Sequence, residues 1–206
     1  MRKSLNIAIT TLLLAGAGQA MAASSIDLGV RGLITPSACT PSLSGGGVID
    51  HGKISIKDLN LTEPTLIGTH QLTLGVNCEG STALALHSID NRVGSSVYDD
   101  RYGLGFIAGG QRLGHYTLGL SNAIADNVAV QTIGSDDQGD TWYKHDFMKP
   151  GRYTSIATQD DATLVLPAKD LVIDLRVDTV IYRADNLNVD YELPIDGSAT
   201  LEVKYL

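Results

Sequence analysis

The sequence predicts an all-β fold built as a sandwich. Three observations carry that reading: apolar residues recur at every second position in several separate runs, glycine-rich turns divide the runs, and no stretch shows the 3.6-residue apolar period of an amphipathic helix. Two cysteines, Cys39 and Cys78, sit at the ends of such runs, behind a stretch with the zoning of a secretory leader.

In that leader Arg2 and Lys3 precede an apolar stretch from Leu5 to Ala17, and Ala20-Met21-Ala22 closes it as a small-x-small cleavage site. The apolar stretch falls short of the roughly 20 residues needed to span a bilayer. Residues 1–22 are therefore expected to be a cleaved signal, leaving an exported chain that starts at Ala23 and does not insert in the membrane. Its removal leaves 13 Lys and Arg against 23 Asp and Glu, a formal charge of −10. Such a surface repels phosphate backbones and anionic headgroups, and no basic patch interleaved with aromatics is present, which argues against a nucleic-acid partner.

Exactly two cysteines in an exported chain are most economically read as one disulfide, Cys39–Cys78, since a pair stays oxidised outside the cytoplasm. The rival readings are a metal pair and a catalytic thiol, but no histidine is spaced near either cysteine as a zinc site requires.

The runs follow in chain order. Ile26, Leu28, Val30, Gly32 and Ile34 alternate with Asp27, Gly29, Arg31 and Leu33. Leu72, Leu74 and Val76 alternate up to Cys78, and Leu84 and Leu86 follow. Leu171, Ile173, Leu175, Val177 and Thr179 alternate with Val172, Asp174, Arg176 and Asp178, and Ala199, Leu201, Val203 and Tyr205 alternate with Thr200, Glu202 and Lys204. Residues two apart lie on one face of a strand, so each run offers a buried stripe and a solvated one. Turns are expected at Ser44-Gly45-Gly46-Gly47, Asp50-His51-Gly52, Ala108-Gly109-Gly110, residues 134–139, Lys149-Pro150-Gly151 and Asp196-Gly197. The section 98–158 is the least regular and is where an elaboration of the sandwich is expected.

Three pieces together resemble the subunits of chaperone-usher pili, and more closely the fimbrial-like exported proteins grouped in a bacterial domain family of unknown function. They are the Ile26-x-Leu28-x-Val30-x-Gly32-x-Ile34 run ending in Pro36-Ser37-Ala38-Cys39, the Leu72-x-Leu74-x-Val76-Asn77-Cys78 run, and the C-terminal Ala199-x-Leu201-x-Val203-x-Tyr205-Leu206. The resemblance implies an incomplete, pilin-type immunoglobulin-like β-sandwich with one disulfide and an elaborated middle region. It divides the chain into the signal (1–22), a donor-strand-like extension (23–38) and the sandwich domain (39–206). It further implies assembly by donor-strand complementation, with a periplasmic pilus chaperone, an outer-membrane usher and neighbouring fibre subunits as partners. The destination is a fimbrium at the cell surface serving adhesion or biofilm formation.

In that scheme Ile26, Leu28, Val30 and Ile34 are the side chains offered to a neighbour's groove, and Gly32 marks a place where the groove comes too close for a side chain. Leu201, Val203 and Tyr205 form the C-terminal strand that pairs with the chaperone. Burying about four apolar side chains at roughly 1.5–3 kcal/mol each gives a gross gain on the order of 6–12 kcal/mol before ordering costs. A second outcome of the same run is that it folds back into its own domain, giving a self-complete monomer.

Other chemistry has thinner support. Trp142 and Tyr143, with His145 nearby, could form a platform for a sugar ring, so a free-standing exported sandwich that binds carbohydrate is the alternative function. Asp136, Asp137 and Asp140 cluster as calcium ligands do, but without EF-hand spacing. The five histidines are scattered and no nucleophile motif is present. No catalytic residue, metal or cofactor is expected, and the reading is not an enzyme.

Overall fold

The computed structural model describes residues 29, 38–187 and 191–206. All described residues but Gly29 belong to one compact unit, 35–206. The expected donor run Ile26, Leu28, Val30, Gly32 and Ile34, and the signal before it, lie outside the described residues.

The described residues form fourteen strands: β1 (Cys39–Leu43), β2 (Thr65–Thr82), β3 (Leu84–Asp90), β4 (Tyr102–Gly103), β5 (Phe106–Ile107), β6 (Gln111–Arg112), β7 (Gly114–Ala125), β8 (Val128–Ala129), β9 (Gln131–Ser135), β10 (Tyr143–Lys144), β11 (Phe147–Met148), β12 (Tyr153–Ala157), β13 (Ala168–Ile181) and β14 (Ala199–Tyr205). Only short 3-10 turns interrupt them among the described residues, as at Ser44–Gly47 and Ile56–Asp58. One sheet runs in the order β1-β2-β13-β7-β11, with β4 and β8 also pairing with β7. The second runs β10-β9-β12-β3-β14, and β5 and β6 form a separate ribbon. Every pairing is antiparallel, which suits sheets with one buried and one solvated face.

The alternation in the sequence decides which face is buried. Leu74 and Val76 of β2, Ile173, Leu175 and Val177 of β13, and Leu118 and Leu120 of β7 point inward from the first sheet. Leu84, Leu86 and Ile156 meet them from the second, so one hydrophobic core lies between two layers. The intervening Thr73, Asp174 and Arg176 stand on the outer face, where Asp174 is opposite Thr73 and Ser121 and Arg176 is opposite Gln71.

The section 98–158 is more than an elaboration. It supplies β7, which lies directly beside β13, and β9 and β12, which build half of the second sheet. Two physical features hide these strands in the sequence. In β7 a register shift opposite Val172 and Asp174, with Asn122 at φ 50°, breaks the period of two and moves Ala123 and Ala125 onto the core side. In β9 and β12 buried threonines and serines, among them Thr132, Ser135, Thr154 and Ser155, replace the apolar stripe that would mark a strand.

Candidate functional site

The two sheets close unevenly. Beyond β13, the edge of the first sheet is covered in pieces, since β4 pairs with Tyr116 and His115, β11 with Gly119 and Leu118, and β8 with Ile124 and Ala125. The far edge of the second sheet is β10, only two residues long. Short, broken edges of this kind resist further pairing. At the other side of the sandwich both sheets end on longer strands, β1 and β14, each paired on one side only among the described residues. β14 offers seven consecutive residues at that edge.

β14 forms because its alternation matches β3: Leu201 is opposite Ser88, Val203 opposite Leu86 and Tyr205 opposite Leu84. Leu201 and Val203 face the core and are only partly buried. On the outer face Glu202 accepts from Lys204 Nζ at 2.8 Å and lies 3.4 Å from His87 Nδ1. Those partners hold the Glu202 carboxyl below its usual value, Lys204 contributing most. β1 is held to β2 by the Cys39–Cys78 disulfide, whose cysteines are directly opposite in the ladder. The backbone N–H of Cys39 donates to the Tyr205 hydroxyl at 2.9 Å, linking the two edge strands at one end.

Between these edges runs a groove of about 250 Å³ whose floor is the core itself. Leu72, Leu118 and Leu175 line its base, Leu43 and Ile49 one wall, and Ala199 and Leu201 the other. Past Ile49, His51 and Ile195 it meets a wider trough of about 560 Å³, walled by Ile54, Ile56 and Leu59 on one side and Leu187, Leu193 and Pro194 on the other. An apolar floor flanked by two edges with unpaired backbone groups can take an extended segment, whose backbone would pair with an edge while alternate side chains enter the floor.

Of the residues expected to matter, Leu201 lines this groove, while Cys39, Cys78, Val203 and Tyr205 lie on β1, β2 and β14, the strands beside it. Trp142 and Tyr143 line neither the groove nor the trough. Tyr143 lies opposite Gly134 in the β9–β10 pair, its ring edge-on to His145 at 5.5 Å. Burial, followed by Asp136, raises its hydroxyl above the ordinary tyrosine range. Trp142 packs near Gly139, a position that Leu206 and Tyr153 also approach.

The acidic loop beside them is occupied with its own bonds. Asp137 accepts from Ser135 Oγ at 2.7 Å, from Thr141 N at 2.9 Å and from Thr141 Oγ1 at 2.6 Å. The Thr141 bonds bring its carboxyl down to about 2. Asp136 pairs with Arg152 at 3.6 Å. Among the described residues no group of three or more His, Cys, Asp or Glu is placed to hold a metal.

Sequence reasoning missed Tyr116 and Leu118, which help line the groove from β7. The signal was available in Tyr116-x-Leu118-x-Leu120, a short period-two run ahead of the register shift.

Comparison with known proteins places this geometry beside uncharacterised relatives. The family described as protein of unknown function (DUF1120) matches residues 28–110, which include the disulfide, β2 and β3. The uncharacterized protein YhcF of Escherichia coli (strain K12) is 26% identical, covering 95% of this chain and 98% of its own length. Protein GltF of the same strain is 28% identical, covering 97% of this chain and 96% of its own.

Proposed function

We propose that this protein is an exported structural subunit of a fimbria or fimbria-like surface fibre. Its groove accepts a strand first from a periplasmic chaperone and then, at an outer-membrane usher, from the N-terminal extension of a neighbouring subunit. The observation that carries the reading is the groove between β1 and β14, two strands that each pair on one side only among the described residues. With the groove unfilled, Leu72 and Leu201 are only partly buried and leave apolar surface to water; covered by an inserted strand, the same residues become an interface. The alternation of Ile26, Leu28, Val30 and Ile34, interrupted by Gly32, has the period such a floor demands. Adhesion or biofilm formation would be the service of the fibre, and no catalysis is part of the role.

The experiment is expression of the full chain with its leader in a Gram-negative host together with a pilus chaperone, followed by purification from the periplasm. The expected product is an equimolar complex with that chaperone, and replacing Leu201 and Tyr205 with aspartate should abolish it and lower the yield. A lone, stable monomer whose yield is indifferent to both replacements would favour the free-standing carbohydrate-binding alternative around Trp142.

A further inference from the structure

Gly68, His70 and Thr179 lie on the inner face at one end of the first sheet, continuing the apolar stripes of β2 and β13 with polar residues. Gly68 is opposite Thr179 and His70 opposite Val177. The segment around His51 crosses over this end and forms part of the wall shared by groove and trough. His51 Nε2 lies 3.0 Å from Thr179 Oγ1, and Thr179 is buried. The two imidazoles stand 5.0 Å apart between centroids at 78°. A Cβ on Gly68 would lie 3.0 Å from His51 Cε1 and from His70 Nε2 and 3.1 Å from His51 Nδ1, so the two rings border one small space that glycine leaves open.

We propose that His51 Nδ1 and His70 Nε2 form a two-histidine site for a late first-row divalent metal ion, Cu(II) or Zn(II), in the space above Gly68. Geometry supports it. With metal–nitrogen bonds of about 2.0–2.1 Å and each nitrogen about 1.1 Å from its ring centroid, two imidazoles bound at about 90–110° hold their centroids roughly 4.5–5.2 Å apart. The observed separation of 5.0 Å falls within that span. In the ligating tautomer His51 Nε2–H donates to Thr179 Oγ1, which orients the ring and leaves Nδ1 without a proton. Imidazole nitrogens select Cu(II) and Zn(II) over Ca²⁺ or Mg²⁺. With no third His, Cys, Asp or Glu in place among the described residues, water completes the coordination. A bound ion would tie the crossing segment to β2 and stiffen the wall of the groove.

The test titrates CuCl₂ or ZnCl₂ into the purified mature chain by calorimetry and follows thermal unfolding. One saturable equivalent and a rise in melting temperature with metal concentration are expected, with no response to CaCl₂. His51→Gln and His70→Gln should each abolish the saturable binding while His87→Gln keeps it, and Thr179→Val should weaken it about 10- to 100-fold. Melting temperatures without metal check that each variant is folded, and Gly68→Ala, which fills the space, should also remove binding. Absence of a saturable equivalent, or its survival in both His51→Gln and His70→Gln, overturns the proposal. Neither chaperone nor fibre enters the measurement, so its outcome is separate from that of the assembly reading.

Discussion

The Cys39 N–H donates to the Tyr205 hydroxyl at 2.9 Å, so β1 and β14, the first and last strands among the described residues, are joined at one end. The bond sits beside the disulfide, and the three elements β1, β2 and β14 are thereby fastened at a single corner. Tyr205→Phe keeps the ring and removes the acceptor. A loss of about 1 kcal/mol or less is expected, because the bond is exposed and water replaces it. A lower urea midpoint with an unchanged m-value is the readout; no change in midpoint would mean the link does not hold the corner.

The disulfide closes a loop with a sequence separation of 39 residues. In the chain-entropy picture its removal raises the freedom of the unfolded chain at a cost of about 4 kcal/mol. The double variant Cys39→Ser/Cys78→Ser should therefore melt about 10 °C lower than the parent. Equal melting temperatures would show that strand pairing alone fixes β1 against β2.

His115 makes stability depend on acidity. It lies 97% buried under the 96–101 loop, its Nε2 accepting from Arg101 Nη1 at 2.8 Å, with the Tyr98 and Tyr182 rings at 5.2 and 5.5 Å. Burial first, and the Arg101 charge second, bring its value down to about 4, with Asp100 opposing weakly. The unfolded chain takes up this proton near pH 6.5. Between about pH 6.5 and 4 the unfolded state therefore holds more protons, and stability falls as pH is lowered through that window, then levels off with respect to this group. Urea unfolding from pH 7.5 to 4 should show the decline, and His115→Gln should flatten part of it. An identical pH slope in the variant would contradict the assignment.

Gly114 opens β7 where two backbones come close. A Cβ there would lie 2.2 Å from the Val180 carbonyl oxygen and 3.0 Å from Ile181 Cα. Backbone cannot swing aside as a flexible side chain can, so Gly114→Ala should cost about 1–3 kcal/mol or more. Chemical denaturation is the check, and a neutral or stabilising outcome would show that the β7–β13 ladder shifts freely at this point.

Much of this architecture can be read from the sequence where one face of a strand is uniformly apolar. Leu72 to Cys78, Leu171 to Thr179 and Ala199 to Tyr205 each announce a strand and the face it buries, and all three take those faces in the fold. β9 and β12 stay hidden because threonine and serine share their buried positions with Ile133 and Ile156 and break up the apolar stripe, their hydroxyls being satisfied within the fold, as when Ser155 Oγ donates to the Leu84 carbonyl at 2.6 Å. The C-terminal wall of the groove was legible as an alternating run. Its floor was not, because it is assembled from β2, β7 and β13. His51 and His70 carry no spacing motif; the crossing of residues 48–52 over β2 brings them together.

The most direct measurement of strand insertion uses two differently tagged forms of the mature chain, one carrying Leu28→Cys and the other Leu201→Cys, mixed and treated with a short bismaleimide. If a neighbour's extension fills the groove, a mixed-tag dimer forms in the mixture. If Leu28 and Leu201 are instead joined within one molecule, the double variant Leu28→Cys/Leu201→Cys yields only cross-linked monomer and the mixture yields no dimer, and the assembly reading fails.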